Sequence, residues 1–228
     1  MDSRSGDGGL AAQGGPLPRT ITASDTAGLS RMLARAFFDD PISVYLFPSE
    51  RSRIRRLERY FRFQIRTVFL PKGEGWATGD LASAAFWLPP RSSARPPTLA
   101  EALAQVPALF ILGRGTSRAI ELVRLLESNH PTRPHWYLAT IGTEPDRQGQ
   151  GLGSALLGEV LAKADADLLP SYLESSKEQN LAFYEGHGFV VRGKATLPGT
   201  AVRLWFMWRE PRRERPGRSD GPGREAPE

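Results

Sequence analysis

At 228 residues, with 40% hydrophobic and 24% charged side chains, the chain suits one domain with an ordinary core. It has no cysteine, which excludes disulfides and thiol catalysis and fits a cytoplasmic protein, and no apolar run approaches the roughly 20 residues of a membrane-spanning helix. The formal net charge of +5 is local: residues 50–66 hold seven arginines against two glutamates, whereas five arginines and five acids cancel over residues 210–228.

Residues 1–18, MDSRSGDGGLAAQGGPLP, open with acid, Ser and Gly and have no apolar centre, so they are expected to be a disordered tail rather than a signal peptide or transit helix. RTIT predicts a short first strand. SDTAGLSRMLARAFFDDP then predicts a helix capped by Ser24 or Asp25, with Leu29, Met32, Leu33, Ala36 and Phe37 on one face and Pro41 as its stop. In the Arg-rich stretch Ile54, Leu57, Phe61, Ile65 and Val68 fall on one helical stripe, and this helix is expected to end before Pro71. Its arginines take the other faces. A solvated helix face is the preferred reading, with a surface for phosphate or nucleic acid as its rival; no zinc-finger spacing or RNA-binding aromatic signature adds to the rival.

GWATG and LASAAFWLPP read as a hairpin turning near Gly79 and Asp80. Residues 98–127 have a helical pattern in two pieces, broken at Pro107 and at Gly113 and Gly115. HWYLATIGT is the strongest central strand. A glycine loop, a helix to about Ala166, the strand SYLES, a helix over about 178–185 and the strands FVVRGKA and AVRLWFMWR follow. The alternation in the second half predicts an α/β domain over residues 19–209 with at least one parallel strand pair. The tail 210–228 is expected to be disordered.

The loop TEPDRQGQGLGSALL places Gly149, Gly151 and Gly153 just before apolar residues at helical spacing. A helix N-terminus offers unpaired N–H groups and partial positive charge, and glycine lets an anion approach the backbone. Plain turns share this composition, so the loop alone leaves both readings open. It is not a P-loop, since no Lys-Ser or Lys-Thr follows, and it is not a dinucleotide fingerprint, since Ser154 stands at the final glycine position.

The pattern Gln148-x-x-Gly151-x-Gly153 after a strand ending in Thr-Glu-Pro resembles the acyl-CoA loop of the GCN5-related N-acetyltransferases, the GNAT family. Downstream, YLESSKEQNLAFYEGHGFVV is similar to the family's second signature, a strand, a helix bearing a tyrosine, then E-x-x-G-F. The two stretches cover residues 136–191, and within the family they look closest to the puromycin N-acetyltransferase-like branch. The resemblance implies a GNAT-like single domain with a mixed, mostly antiparallel, splayed sheet of about seven strands flanked by helices.

It also implies a site for acetyl-CoA as acyl donor. Backbone groups of Ile141, Gly142 and Thr143 would bond the pantetheine amides. Amides of Gln148, Gly149, Gln150, Gly151, Leu152, Gly153 and Ser154 would hold the pyrophosphate, with Arg147 beside it. Tyr184 stands where the family carries the general acid for the leaving thiolate. Asn180 precedes it by one helical turn, where many members place an asparagine about two turns before, so a helix-start role competes with cofactor contact.

Amine acetylation also needs a base. Glu174, on the strand after the cofactor helix, is one candidate; Asp39 and Asp40, after the first helix, are the other and would equally suit recognition of a cationic substrate. His130, His135 and His187 have no metal-ligand spacing and no metal is assigned; without G-x-S-x-G a serine hydrolase has little support. The expected acceptor is a small-molecule amine. A protein or peptide amine, or a non-catalytic acyl-CoA-binding module, is the alternative. Monomer and homodimer stay open.

Overall fold

The computed structural model describes residues 17–90 and 111–212. The expected tails lie outside the described residues except for 17–18 and 210–212, as does the part of the expected helical stretch over 98–110. Its described remainder is a 3-10 turn (Gly113–Gly115) leading into a helix.

Seven strands are present: β1 (Pro18–Thr20), β2 (Glu74–Thr78), β3 (Ser83–Leu88), β4 (Trp136–Thr143), β5 (Ser171–Ser175), β6 (Val190–Thr196) and β7 (Arg203–Arg209). They form one sheet in the order β1-β2-β3-β4-β5-β7-β6, antiparallel throughout except for β4 and β5. The helices are α1 (Thr26–Ala36), α2 (Pro41–Leu46), α3 (Glu50–Gln64), α4 (Thr116–Asn129), α5 (Leu152–Ala166) and α6 (Leu181–Gly186). None among the described residues is long and apolar enough to cross a membrane. This is the α/β GNAT fold expected from the motifs, a mostly antiparallel open sheet with helices on both faces.

Strand alternation divides the interior into two cores. Ala84, Phe86, Tyr172, Leu204, Phe206 and Trp208 pack on one face with Leu29, Leu33, Leu57 and Phe61 of α1 and α3. Ala85, Trp87, Leu173 and Met207 pack on the other with Leu156, Leu157, Val160 and Leu161 of α5 and with Tyr184 of α6. β3 is buried on both faces, as a central strand must be. Arg209, only 3% exposed, bonds both Asp165 carboxylate oxygens at 2.7 Å and fastens β7 to the end of α5.

Two departures from period-2 regularity build the site. First, Phe86 pairs with Thr140 but Trp87 pairs with Leu138, so Ala139 is an extra residue in β4. Before this bulge Leu138 joins the α5 core and Ala139 the α1 core; after it Ile141 joins the α5 core and Gly142 lies beneath α1. The extra residue switches the phase of the strand. A Cβ on Gly142 would stand 2.9 Å from Leu33 and 3.0 Å from Phe37, so only glycine admits α1 this close. Second, β4 and β5 pair only from Trp136–Leu138 to Ser171–Leu173. Glu174 and Ser175 continue on β7 while β4 continues on β3, and the sheet opens between them.

Three local expectations are corrected. Pro41 does not stop α1, which ends at Ala36; it is the first residue of α2, where its missing N–H costs nothing and Asp40 provides the cap. The Arg-rich helix does not end before Pro71. It continues through a π turn (Ile65–Phe69) into a last turn (Leu70–Lys72), and the wider turn buries Phe69 after Ile65, with Val68 partly buried against the same core. Nor do all its arginines lie on solvated faces. Arg53 is buried and donates to the carbonyls of Phe47 and Pro48, and Arg56 reaches the carbonyl of Leu112 at 3.4 Å. Arg62 pairs with Glu58, and Arg51, Arg55, Arg59 and Arg66 are exposed.

Candidate functional site

The opening between β4 and β5 is the floor of a cavity of about 560 Å³. Its walls gather residues from five separate stretches: Phe37 and Asp40 after α1, the end of β4, the glycine loop with the start of α5, Glu174 to Ser176 at the end of β5, and Asn180 to Tyr184 around α6. Of the residues singled out in the sequence, Ile141, Gly142, Thr143, Arg147, Gln148, Gly149, Gly151, Leu152, Gly153, Ser154, Glu174, Asn180, Tyr184 and Asp40 line it. Gln150 and Asp39 do not; Asp39 is exposed, and Gln150 accepts a hydrogen bond from Arg147 Nε at 3.0 Å.

The loop is held from both sides. Glu144 takes the amide-anchoring position on the Ala82 carbonyl at 2.8 Å and pairs with Arg35. Gln148 donates to the Thr143 carbonyl at 3.2 Å, and Arg147 reaches Asp80 at 3.2 Å. Gly149 and Gly151 have φ of +75° and +78°, a conformation other residues adopt only with strain, and a Cβ on either would meet nothing within 4 Å. Open space therefore faces the loop where a side chain would have stood. Gly151 caps α5, and its carbonyl takes the Ala155 N–H at 3.1 Å. The amides of Leu152, Gly153 and Ser154 come before that first intrahelical bond and lie at the positive end of a 15-residue helix. These features fit a pyrophosphate.

Tyr184 is 6% exposed and packs edge-on against Phe183 and Phe189. Burial, and then the negative charge of Asp40, push its phenol well above the usual range, so it keeps its proton. Its hydroxyl has no hydrogen-bond partner among the described residues.

The two candidate carboxylates differ in what they already hold. Asp40 caps α2: its Oδ1 accepts from Ile42 N at 2.9 Å and Ser43 N at 3.4 Å, and its Oδ2 accepts from Ser176 at 2.6 Å. Burial raises its pKa against the pull of these donors and of Lys177. Glu174 has a side chain only 7% exposed, yet its Oε1 has no hydrogen-bond partner among the described residues. It lies beside Tyr137 and Tyr172, whose phenols are raised by burial, then by its charge and by hydrogen bonding toward it. A buried carboxylate oxygen without a donor is costly unless a ligand supplies one.

Ser176, Lys177 and Phe183 also line the cavity and were not singled out from the sequence. Ser176 follows a strand in a Ser-rich run, which carries no signal. Phe183 had one: it adjoins Tyr184 in the motif, and a Cβ on Gly153 would stand 3.3 Å from its ring. Asn180 occupies the N-cap position of α6 without a side-chain cap bond, and it lines the cavity.

Residues 109–191 match a family model described as an acetyltransferase (GNAT) domain. An uncharacterised N-acetyltransferase of Schizosaccharomyces pombe is 27% identical over 208 residues, covering 86% of this chain and 84% of the relative. The crystal structure titled histone acetyltransferase HPA2 and related acetyltransferase, from Corynebacterium glutamicum, aligns with a TM-score of 0.66 at 23% identity, over 88% of this chain and 99% of that one. Arylalkylamine N-acetyltransferase 2 from Aedes aegypti aligns at 0.53 with 11% identity, over 85% and 97%. The domain match, the N-acetyltransferase relative spanning most of the chain and the splayed seven-stranded sheet together support an acetyltransferase of the GNAT family.

Proposed function

We propose that the protein moves the acetyl group of acetyl-CoA to a primary amine of a small molecule by direct attack, both substrates being bound together. One observation carries the reading: a single cavity joins an open, positive-φ glycine loop at a helix N-terminus to a protonated phenol and a carboxylate whose buried Oε1 has no donor among the described residues.

Acetyl-CoA supplies the activated thioester. Amides from Gln148 to Ser154 hold its pyrophosphate, Arg147 adds a charge, and main-chain groups of Ile141, Gly142 and Thr143, freed where β4 leaves β5, bond the pantetheine arm. Glu174 removes a proton from the acceptor ammonium, which restores the nitrogen lone pair. Tyr184 protonates the departing thiolate, help that is typically worth about 10²–10⁴ in rate. Asp40, saturated by three donors, holds α2 and keeps Tyr184 protonated. A small amine is proposed on the likeness of the motifs to the puromycin N-acetyltransferase-like branch.

The test is thiol release from acetyl-CoA across aminonucleosides, aminoglycosides, polyamines, arylalkylamines and peptides. Amine-dependent release with a small amine supports the reading. Release with peptides alone moves the acceptor to a protein. Saturable CoA binding without release overturns the catalytic reading in favour of a binding module.

A further inference from the structure

Each acetylation of an ammonium yields one thiol proton and one proton for bulk water. The second has to leave Glu174, whose side chain is 7% exposed and whose opening to solvent is the cavity that both substrates fill. Behind it stands His130, the residue after α4. Its Nδ1 lies 3.8 Å from Glu174 Oε1, the oxygen without a partner, and its ring is 38% exposed. His130 is not among the cavity's lining residues, so its exposed edge meets water elsewhere.

We propose that His130 is the proton exit of the active site, taking the acceptor's proton from Glu174 and releasing it to solvent. The proposal rests on the acetyl-transfer reading. In the step, the ammonium N–H bond breaks and its proton goes to Glu174, leaving the electron pair on nitrogen. The Glu174 O–H then gives its proton to Nδ1 of His130, and Nε2–H passes a proton to water or buffer. Glu174 returns as carboxylate and His130 as neutral imidazole carrying its proton on Nδ1, and proton exchange with water restores the starting Nε2–H tautomer before the next turnover.

The neighbours suit His130 to this work and exclude the adjacent His135. His130 packs on His135 at 4.9 Å, Tyr137 at 5.1 Å and Tyr172 at 5.1 Å between ring centres, so the titratable groups facing it are these three and Glu174. The tyrosines are held protonated by burial and the Glu174 charge. His135 is buried and its Nδ1 donates to the Arg133 carbonyl at 2.6 Å. Burial also lowers its pKa, against that hydrogen bond. It is therefore a fixed neutral wall. The His130 backbone N–H bonds the Glu127 carbonyl at 3.3 Å, whereas its ring nitrogens have no hydrogen bond among the described residues, so the ring can close the last ångström by turning, or through one water.

The experiment compares the wild type with His130→Gln and His130→Ala in thiol release, with an amine the wild type acetylates. Both variants are expected to lose about 10–100-fold in kcat at unchanged acetyl-CoA affinity. Added imidazole is expected to restore part of the His130→Ala rate and little of the His130→Gln rate, where the side chain still fills the space. A purely structural role would not respond to imidazole. Either variant at wild-type kcat, or a His130→Ala loss that imidazole leaves untouched, overturns the relay. A wild type inert toward every amine overturns the acetyl-transfer reading itself, and with it the relay.

Discussion

Ser176 donates its hydroxyl proton to Asp40 Oδ2 at 2.6 Å across 136 residues of sequence, tying the end of β5 to the cap of α2. The bond closes one wall of the cavity and leaves Glu174 as the carboxylate with capacity to spare. Three donors converge on a carboxyl whose pKa burial nevertheless raises; the tie itself is strongest when Asp40 is ionised, and it works against that rise.

Asp40→Asn keeps a good cap residue and removes the buried charge. The folded state holds the Asp40 proton more tightly than the unfolded chain, where the group titrates near its ordinary 3.8. The wild type therefore loses stability relative to Asp40→Asn as pH rises above about 4. Melting temperatures of the two proteins between pH 4 and 8 check this; a gap that widens in the wild type's favour with pH contradicts it. Asp40→Ala, which strands the donors as well, should lose about 1 kcal/mol or more at any pH.

Tyr184→Phe preserves the ring packed against Phe183 and Phe189 and deletes a hydroxyl that holds nothing else. The expected outcome is a fall in kcat of about 10²–10⁴ with little change in CoA affinity or melting temperature. Thiol release and CoA titration on the same preparation separate these. An unchanged kcat removes the acid role.

Glycines of the site should divide into two kinds. Gly151→Ala meets no protein atom within 4 Å, so its stability cost is the left-handed φ alone, about 1–2 kcal/mol. Its methyl group enters the space in front of the loop, so acetyl-CoA affinity should fall further than stability does. Gly142→Ala collides with Leu33 and Phe37 and should instead lower the melting temperature first. Thermal melts with and without CoA check the pair.

Arg209→Ala leaves Asp165 without its bidentate partner at the α5–β7 junction. A loss of about 1–3 kcal/mol is expected, because Arg209 is buried while Asp165 is 22% exposed and keeps the Arg212 N–H, and it is visible as a lower denaturation midpoint. A shift of only a few tenths would show that the pair contributes little.

Where alternation, glycine and spacing carry the information, the sequence was readable. All seven strands are recognisable in it because β-branched and aromatic residues at period 2 have few other uses, and Gly149 and Gly151 announce positive φ by their type. Ala139 announces nothing: a bulge is an event of register between two strands, and the alanine would look the same in a regular one. Pro41 has two meanings, stop or start, and the choice depends on Asp40 turning inward to cap. Arg53 among seven arginines, and Asp40 beside Asp39, are pairs of chemically equal neighbours that only the packing tells apart. His130 and Glu174 lie far apart in sequence and become partners through the parallel pairing of β4 with β5.

That pairing spans three residues on each strand. Mechanically the sheet is two plates, β1 to β4 and β5 to β7, hinged on a short seam. A ligand lying in the gap and bonded to both rims supplies the missing rungs, so binding should act as a clasp. Amides of residues 139–143 and of 174–175 should slow together in hydrogen exchange when the clasp is in place, although they belong to different plates.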